Sequence, residues 1–152
     1  MKKLSLILFL LISLSVGTLF AESAELRATT VIKGDALSLD VTVKAVNAPD
    51  LAGIKLVLQY DVKRMQYKSL TKSKETQSMM HVVNDKNPGT LIIVMASATG
   101  QKNPDFDLFA LGFELLESSD KPAPLEIKVS SVEMMSAALT EIPCPTLTFH
   151  LK

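Results

Sequence analysis

The sequence predicts an all-β protein, an antiparallel β-sandwich of jelly-roll type with about nine strands. Three observations carry this prediction. Apolar and polar residues alternate at period two through a series of short runs. Gly, Pro, Asn and Asp gather between those runs, at spacings of about ten residues. No stretch beyond the N-terminus carries a sustained helical period.

The clearest run is Asp50 to Asp61. Ile54, Leu56, Leu58 and Tyr60 fall on one side and Lys55, Val57 and Gln59 on the other, the pattern of a strand lying on a core with one face toward water. Before it, Glu25 to Ile32 and Ala36 to Val46 are two β-rich runs joined by Lys33, Gly34 and Asp35, a hairpin signature. In the second run Leu37, Leu39, Val41 and Val43 form the dry side. Asn47-Ala48-Pro49-Asp50 then ends the strand, because proline has no amide to donate and fixes its own φ.

After Asp61, Met65, Tyr67 and Ser69 alternate in a short strand over Val62 to Leu70, and Thr71 to Gln77 reads as a loop. Ser78 to Asn84 is a further strand, closed by the turn Asp85-Lys86-Asn87-Pro88-Gly89. Thr90 to Ala98 is continuously apolar and β-branched, which predicts a strand buried on both faces or central in its sheet. Thr99 to Phe106 is a loop. Asp107 to Leu116 resumes with Phe109, Leu111, Phe113 and Leu115 on one face. Ser118 to Pro124 connects to a half-buried strand on Leu125, Ile127 and Val129, Glu133 to Thr140 reads as a loop or a single turn, and Leu147, Phe149 and Leu151 share a face at the end.

Lys2 and Lys3 precede an apolar run from Leu4 to Phe20 and then Ala21, the order of a secretory signal peptide over residues 1–21. The run is slightly short for a membrane span and lacks basic residues on its far side. The expectation is a secreted or periplasmic protein of about 130 residues, 22–152, with one core and no membrane span after cleavage. The 16 basic and 16 acidic residues balance, which is not the footprint of a nucleic-acid binder. A single cysteine, Cys144 between two prolines, leaves stability to packing and reads as a partly buried small hydrophobe.

No catalytic constellation emerges, so neither an enzyme nor a cofactor is expected. His81 and His150 stand far apart without acidic co-ligands and read as surface histidines. Asp85, Asn87 and Gly89 lack the acidic residue that closes a calcium loop and read as a hairpin turn. Nothing sets Asp105 and Asp107 apart as an acid and a base. The chain has no tryptophan and two tyrosines, so Tyr67 is the one candidate platform for a sugar ring, Tyr60 being assigned inward.

The order of motifs resembles a cohesin domain, the β-sandwich module through which some bacterial exported proteins bind dockerin modules. The Gly34-Asp35 turn followed by Leu37-Ser38-Leu39-Asp40-Val41-Thr42-Val43 is similar to the family's opening, and Leu51 to Asp61 to its most recognisable strand, ending in Tyr-Asp. Gly89 to Gly100 is similar to its glycine-led central strand and Asp107 to Leu115 to the strand that ends its core motif. Val62 stands where the family usually has proline. Gly53, Lys55, Val57 and Gln59 stand where dockerin-binding members tend to place Asn and Asp. The resemblance implies a non-catalytic module with a dockerin-like protein partner, laid across one sheet. Lys55, Val57 and Gln59 would form one row of that surface and His81 and Val83 another beside it. A polysaccharide partner, as for a carbohydrate-binding module, is the alternative.

Overall fold

The computed structural model describes residues 23–32, 37–116, 125–144 and 148–150, the last three by backbone alone. The signal-peptide expectation, the Lys33-Gly34-Asp35 turn, the Ser118 to Pro124 connection and the face of the last strand lie outside the described residues. Nine strands are seen: β1 Glu25–Ile32, β2 Ser38–Val46, β3 Leu51–Tyr60, β4 Met65–Lys72, β5 Met80–Asn84, β6 Thr90–Ala96, β7 Phe106–Leu115, β8 Glu126–Ser136 and β9 Thr148–His150. They form two antiparallel sheets, one in the order β1-β2-β7-β4 and one in the order β5-β6-β3-β8-β9. No helix occurs among the described residues.

The dry faces of the alternating strands meet between the sheets. Leu39, Val41 and Val43 of β2, with Phe109, Leu111 and Phe113 of β7, oppose Ile54, Leu56 and Leu58 of β3, Leu91, Ile93 and Met95 of β6, and Ile127, Val129 and Met134 of β8. Each of these side chains is buried. A buried aliphatic or Phe side chain contributes about 1.5–3 kcal/mol relative to exposure, so this interior is the main source of stability in a chain that cannot close an internal disulfide. Tyr60 and Tyr67 reach the rim of the interior and set their rings edge-on against Phe113, with centroids 5.3 and 6.0 Å away.

Several local expectations change once pairing is seen. Leu37 precedes β2 and is exposed rather than part of its dry side. In β4 the register slips between Tyr67 and Ser69, so Lys68 is an extra residue; Ser69 then faces outward opposite Gly112, and Leu70 turns toward the core. β6 is interior to its sheet but buried on one face only, because Val94 on the other side meets solvent. Phe106 opens β7 as a buried residue instead of ending a loop. β8 continues to Ser136, through half of the stretch expected to be irregular, because it pairs along the whole of β3, from Tyr60 against Ile127 to Leu51 against Ser136. A bulge at Ser130 keeps Ile127 and Val129 inward before it and Met134 inward after it.

Candidate docking face

β3 carries two faces by simple alternation, and the side left uncovered is the outer face of the five-stranded sheet. Register fixes its rows. Met80, Ala96, Gly53 and Met135 lie side by side across β5, β6, β3 and β8; Val82, Val94, Lys55 and Glu133 form the next row. Asn84, Ile92, Val57 and Ser131 form the third, and Thr90, Gln59 and Lys128 the fourth. Strands about 4.8 Å apart make each four-residue row roughly 14 Å wide.

The first two rows are unusually apolar for an open sheet face. Met80 is 77% exposed, Val82 65%, Met135 40% and Val94 39%. Gly53 and Ala96 form a low floor between the two methionines; a Cβ added at Gly53 would meet only Met135 Cβ at 3.8 Å and the Met95 carbonyl oxygen at 3.9 Å. Lys55 Nζ donates to Glu133 Oε1 at 2.7 Å, so the charges in the second row cancel each other. Apolar surface with small residues at its centre, neutralised charge beside it and a polar row at one end is the composition of an interface core and rim.

Of the residues expected here, Lys55, Val57 and Gln59 do share one row along β3, with Lys55 and Gln59 exposed and Val57 half-buried among its neighbours. His81 and Val83 do not join them. They pair with Met95 and Ile93, which point into the sandwich, so both occupy the opposite face, His81 exposed at the sheet edge and Val83 packed on the core. The outward residues of β5 are Met80, Val82 and Asn84. The sequence pattern does not mark Met80, Val82, Ile92 and Val94, because β5 and β6 are apolar on both sides and only the pairing of β5 with β6 and of β6 with β3 shows which side is wet; Met135 lies beyond the bulge of β8, in a stretch without clean alternation.

Other candidate chemistry dissolves into local structure. Among the described residues no group of three His, Cys, Asp or Glu side chains could hold a metal ion. At the β5–β6 turn, Lys86 N donates to Asn84 Oδ1 and Thr90 N to the Asn87 carbonyl. Asp105 Oδ1 accepts from Asn47 N at 2.7 Å, which ties one loop to another. Burial pushes the Cys144 thiol above its ordinary value of 9.0, consistent with a small hydrophobe packed against the core.

The sandwich thus presents an open sheet face whose apolar residues surround one exposed ion pair, Lys55 with Glu133. The family model of the cohesin domain matches residues 23–148, and the chain belongs to that family. Its fold is similar to that of a non-cellulosomal cohesin from Archaeoglobus fulgidus, at 17% identity and TM-score 0.69, covering 84% of this chain and 90% of that one. The sixth cohesin of scaffoldin B from Acetivibrio cellulolyticus, solved in complex with a Cel5 dockerin mutant, is similar at 17% identity and TM-score 0.69, over 83% of this chain and 94% of that one. A cohesin module from a family 33 glycoside hydrolase of Clostridium perfringens is similar at 11% identity and TM-score 0.70, over 86% and 96%. No curated protein sequence matches this one.

Proposed function

We propose that the chain is an exported, non-catalytic docking module that receives a protein partner on the outer face of β5, β6, β3 and β8. The observation that carries this reading is the apolar patch on that face, with Met80, Val82, Val94 and Met135 open to solvent beside the Lys55–Glu133 pair. Support for a protein rather than a small molecule comes from family membership and from the Acetivibrio cohesin, whose structure holds a dockerin. The partner would be a dockerin-like module, and its contacts here would be chiefly apolar, since Lys55, Val57 and Gln59 replace the Asn and Asp of dockerin-binding relatives. Export is carried by residues 1–21, whose order of charge, apolar run and small residue is that of a signal peptide.

The test is affinity capture from the exported proteins of the source organism, with dockerin modules titrated in parallel. Val57→Glu and Val94→Glu should weaken binding by about tenfold or more while melting temperature is kept, because each places a charge in a contact that must be desolvated. Thr71→Glu, exposed on β4 of the other sheet, is the control and should bind normally. Undiminished binding by both folded face variants would remove this surface.

A further inference from the structure

At the end of β3 opposite the Gly53 floor, the two sheets part and leave a cleft of about 390 Å³ lined by Tyr60, Val62, Met65, Gln66, Tyr67, Asp85, Pro88 and Leu116. We propose that this cleft is a second binding site, separate from the docking face, and that it takes one neutral pyranose unit of a saccharide. Its walls come from four parts of the chain: the end of β3 with its turn, the start of β4, the β5–β6 turn, and the residue after β7.

The cleft is held open by packing that is independent of any ligand. Phe113 supports both tyrosine rings edge-on from the core. Gly89, at φ 78°, lets the β5–β6 turn press against the end of β3: its carbonyl accepts from Tyr60 N at 2.9 Å, and a Cβ there would come within 2.9 Å of the Tyr60 carbonyl oxygen. That close approach holds the turn that carries Asp85 and Pro88 at the cleft they share with the tyrosines.

The chemistry of the lining selects the ligand class. Val62, Pro88, Leu116 and the tyrosine rings offer apolar surface for the C–H face of a sugar. Asp85 accepts hydrogen bonds only, the phenols of Tyr60 and Tyr67 both give and accept, and Gln66, whose Oε1 already takes Lys68 Nζ at 2.9 Å, has its amide N–H groups to give. A purely apolar ligand would leave the carboxylate and the amide to water and gain nothing from them. A lone ammonium group would leave the donors unused and underfill about 390 Å³. Vicinal hydroxyls on a ring satisfy both kinds of partner at once, and a site of this volume is in the range of small-ligand pockets. Burial, and after it the negative charge of Asp85, holds the Tyr67 hydroxyl protonated above its ordinary range, so the phenol keeps its proton to donate.

The chain has no tryptophan and its two tyrosines both line this cleft, so intrinsic tyrosine fluorescence of the whole protein reports on it. The experiment titrates the protein with glucose, galactose, N-acetylglucosamine and their β-1,4-linked disaccharides, and with choline as a cationic comparison. A saturable change with at least one sugar is expected, and Asp85→Ala and Gln66→Ala should each weaken it by about tenfold. Both positions are exposed, so melting temperature should hold. No saturable change with any sugar, saturation by choline alone, or sugar binding undisturbed in both variants would overturn the proposal. Val57→Glu, on the docking face, should leave the sugar response intact, so failure of either site is read separately.

Discussion

Lys55 and Leu56 are chain neighbours in β3 on opposite faces of the sheet. Leu56 is wholly buried between the sheets, whereas Lys55 sits in water with Glu133 as its partner. Leu56→Asp, and likewise Phe113→Asp, should unfold the domain, because an unpaired carboxylate in a desolvated position costs several kcal/mol against a total of about 5–15. Lys55→Asp should cost about 1 kcal/mol, the loss of an exposed pair plus a like charge across from Glu133. Urea denaturation of the three variants separates these outcomes. Tyr67 gives a second residue-scale test. Burial, then the charge of Asp85, then Tyr60, hold its hydroxyl above the ordinary 10.0. The folded state therefore keeps the proton longer than the unfolded chain does, and the contribution to stability is complete below pH 10.0 and is lost as pH rises through the folded value. Asp85→Asn should lower the folded value part of the way, read as tyrosinate absorbance against pH. At this scale the sequence was most legible where alternation is strict: Ile54, Leu56 and Leu58 point inward as their spacing requires. The meeting of Tyr60 with Tyr67 was not legible, since they lie on strands of different sheets and come together at the end of the sandwich against Phe113.

Between elements, register decides what composition leaves open. Met-His-Val-Val-Asn in β5 has apolar residues on both sides, so nothing in the strand itself distinguishes a wet face from a dry one. Its pairing with β6 puts His81 and Val83 toward the sandwich and Met80 and Val82 toward water. The end of β8 was hidden for a related reason. Glu133 to Ser136 lacks clean alternation, and only the length of β3 and the bulge at Ser130 keep it paired in phase. Lys68 in β4 breaks the expected alternation in the same way. The β5–β6 turn is the element where geometry most restricts sequence. Gly89 at positive φ, packed against the Tyr60 carbonyl, admits no side chain without strain, so Gly89→Ala should destabilise the domain by about 1–3 kcal/mol. Thermal unfolding measures the loss, and a rise in tyrosine accessibility to quencher would show that the turn has lifted from the end of β3.

Across the whole molecule, the two sheets need a device that fixes them at the end away from the tyrosine cleft, and three distant loops supply it. Asp50, at φ 58°, accepts from Ala137 N with both its carbonyl oxygen, at 3.1 Å, and Oδ2, at 3.2 Å, while its own amide donates to the Gln101 carbonyl. Ala48 N donates to the Pro104 carbonyl and Gln101 N to that of Leu51, so the β2–β3, β6–β7 and post-β8 loops converge on one residue. Gly100 is what lets them converge. A methyl group there would collide with the Asp50 carboxylate and come within 2.5 Å of the Asp50 carbonyl oxygen, an oxygen that cannot retreat without releasing Ala137. Gly100→Ala should therefore cost about 1–3 kcal/mol, as overpacking does when backbone must shift. The cost should be shared by sheets that do not pair with each other, since β2 belongs to one sheet and β3 and β8 to the other. Amide hydrogen exchange measures this: protection should fall together around Asn47 to Leu51, Ser97 to Asp105 and Ser136 to Thr140, with Tyr60 and the β5–β6 turn unchanged. A loss confined to the β6–β7 loop would mean that the three loops are neighbours without being coupled.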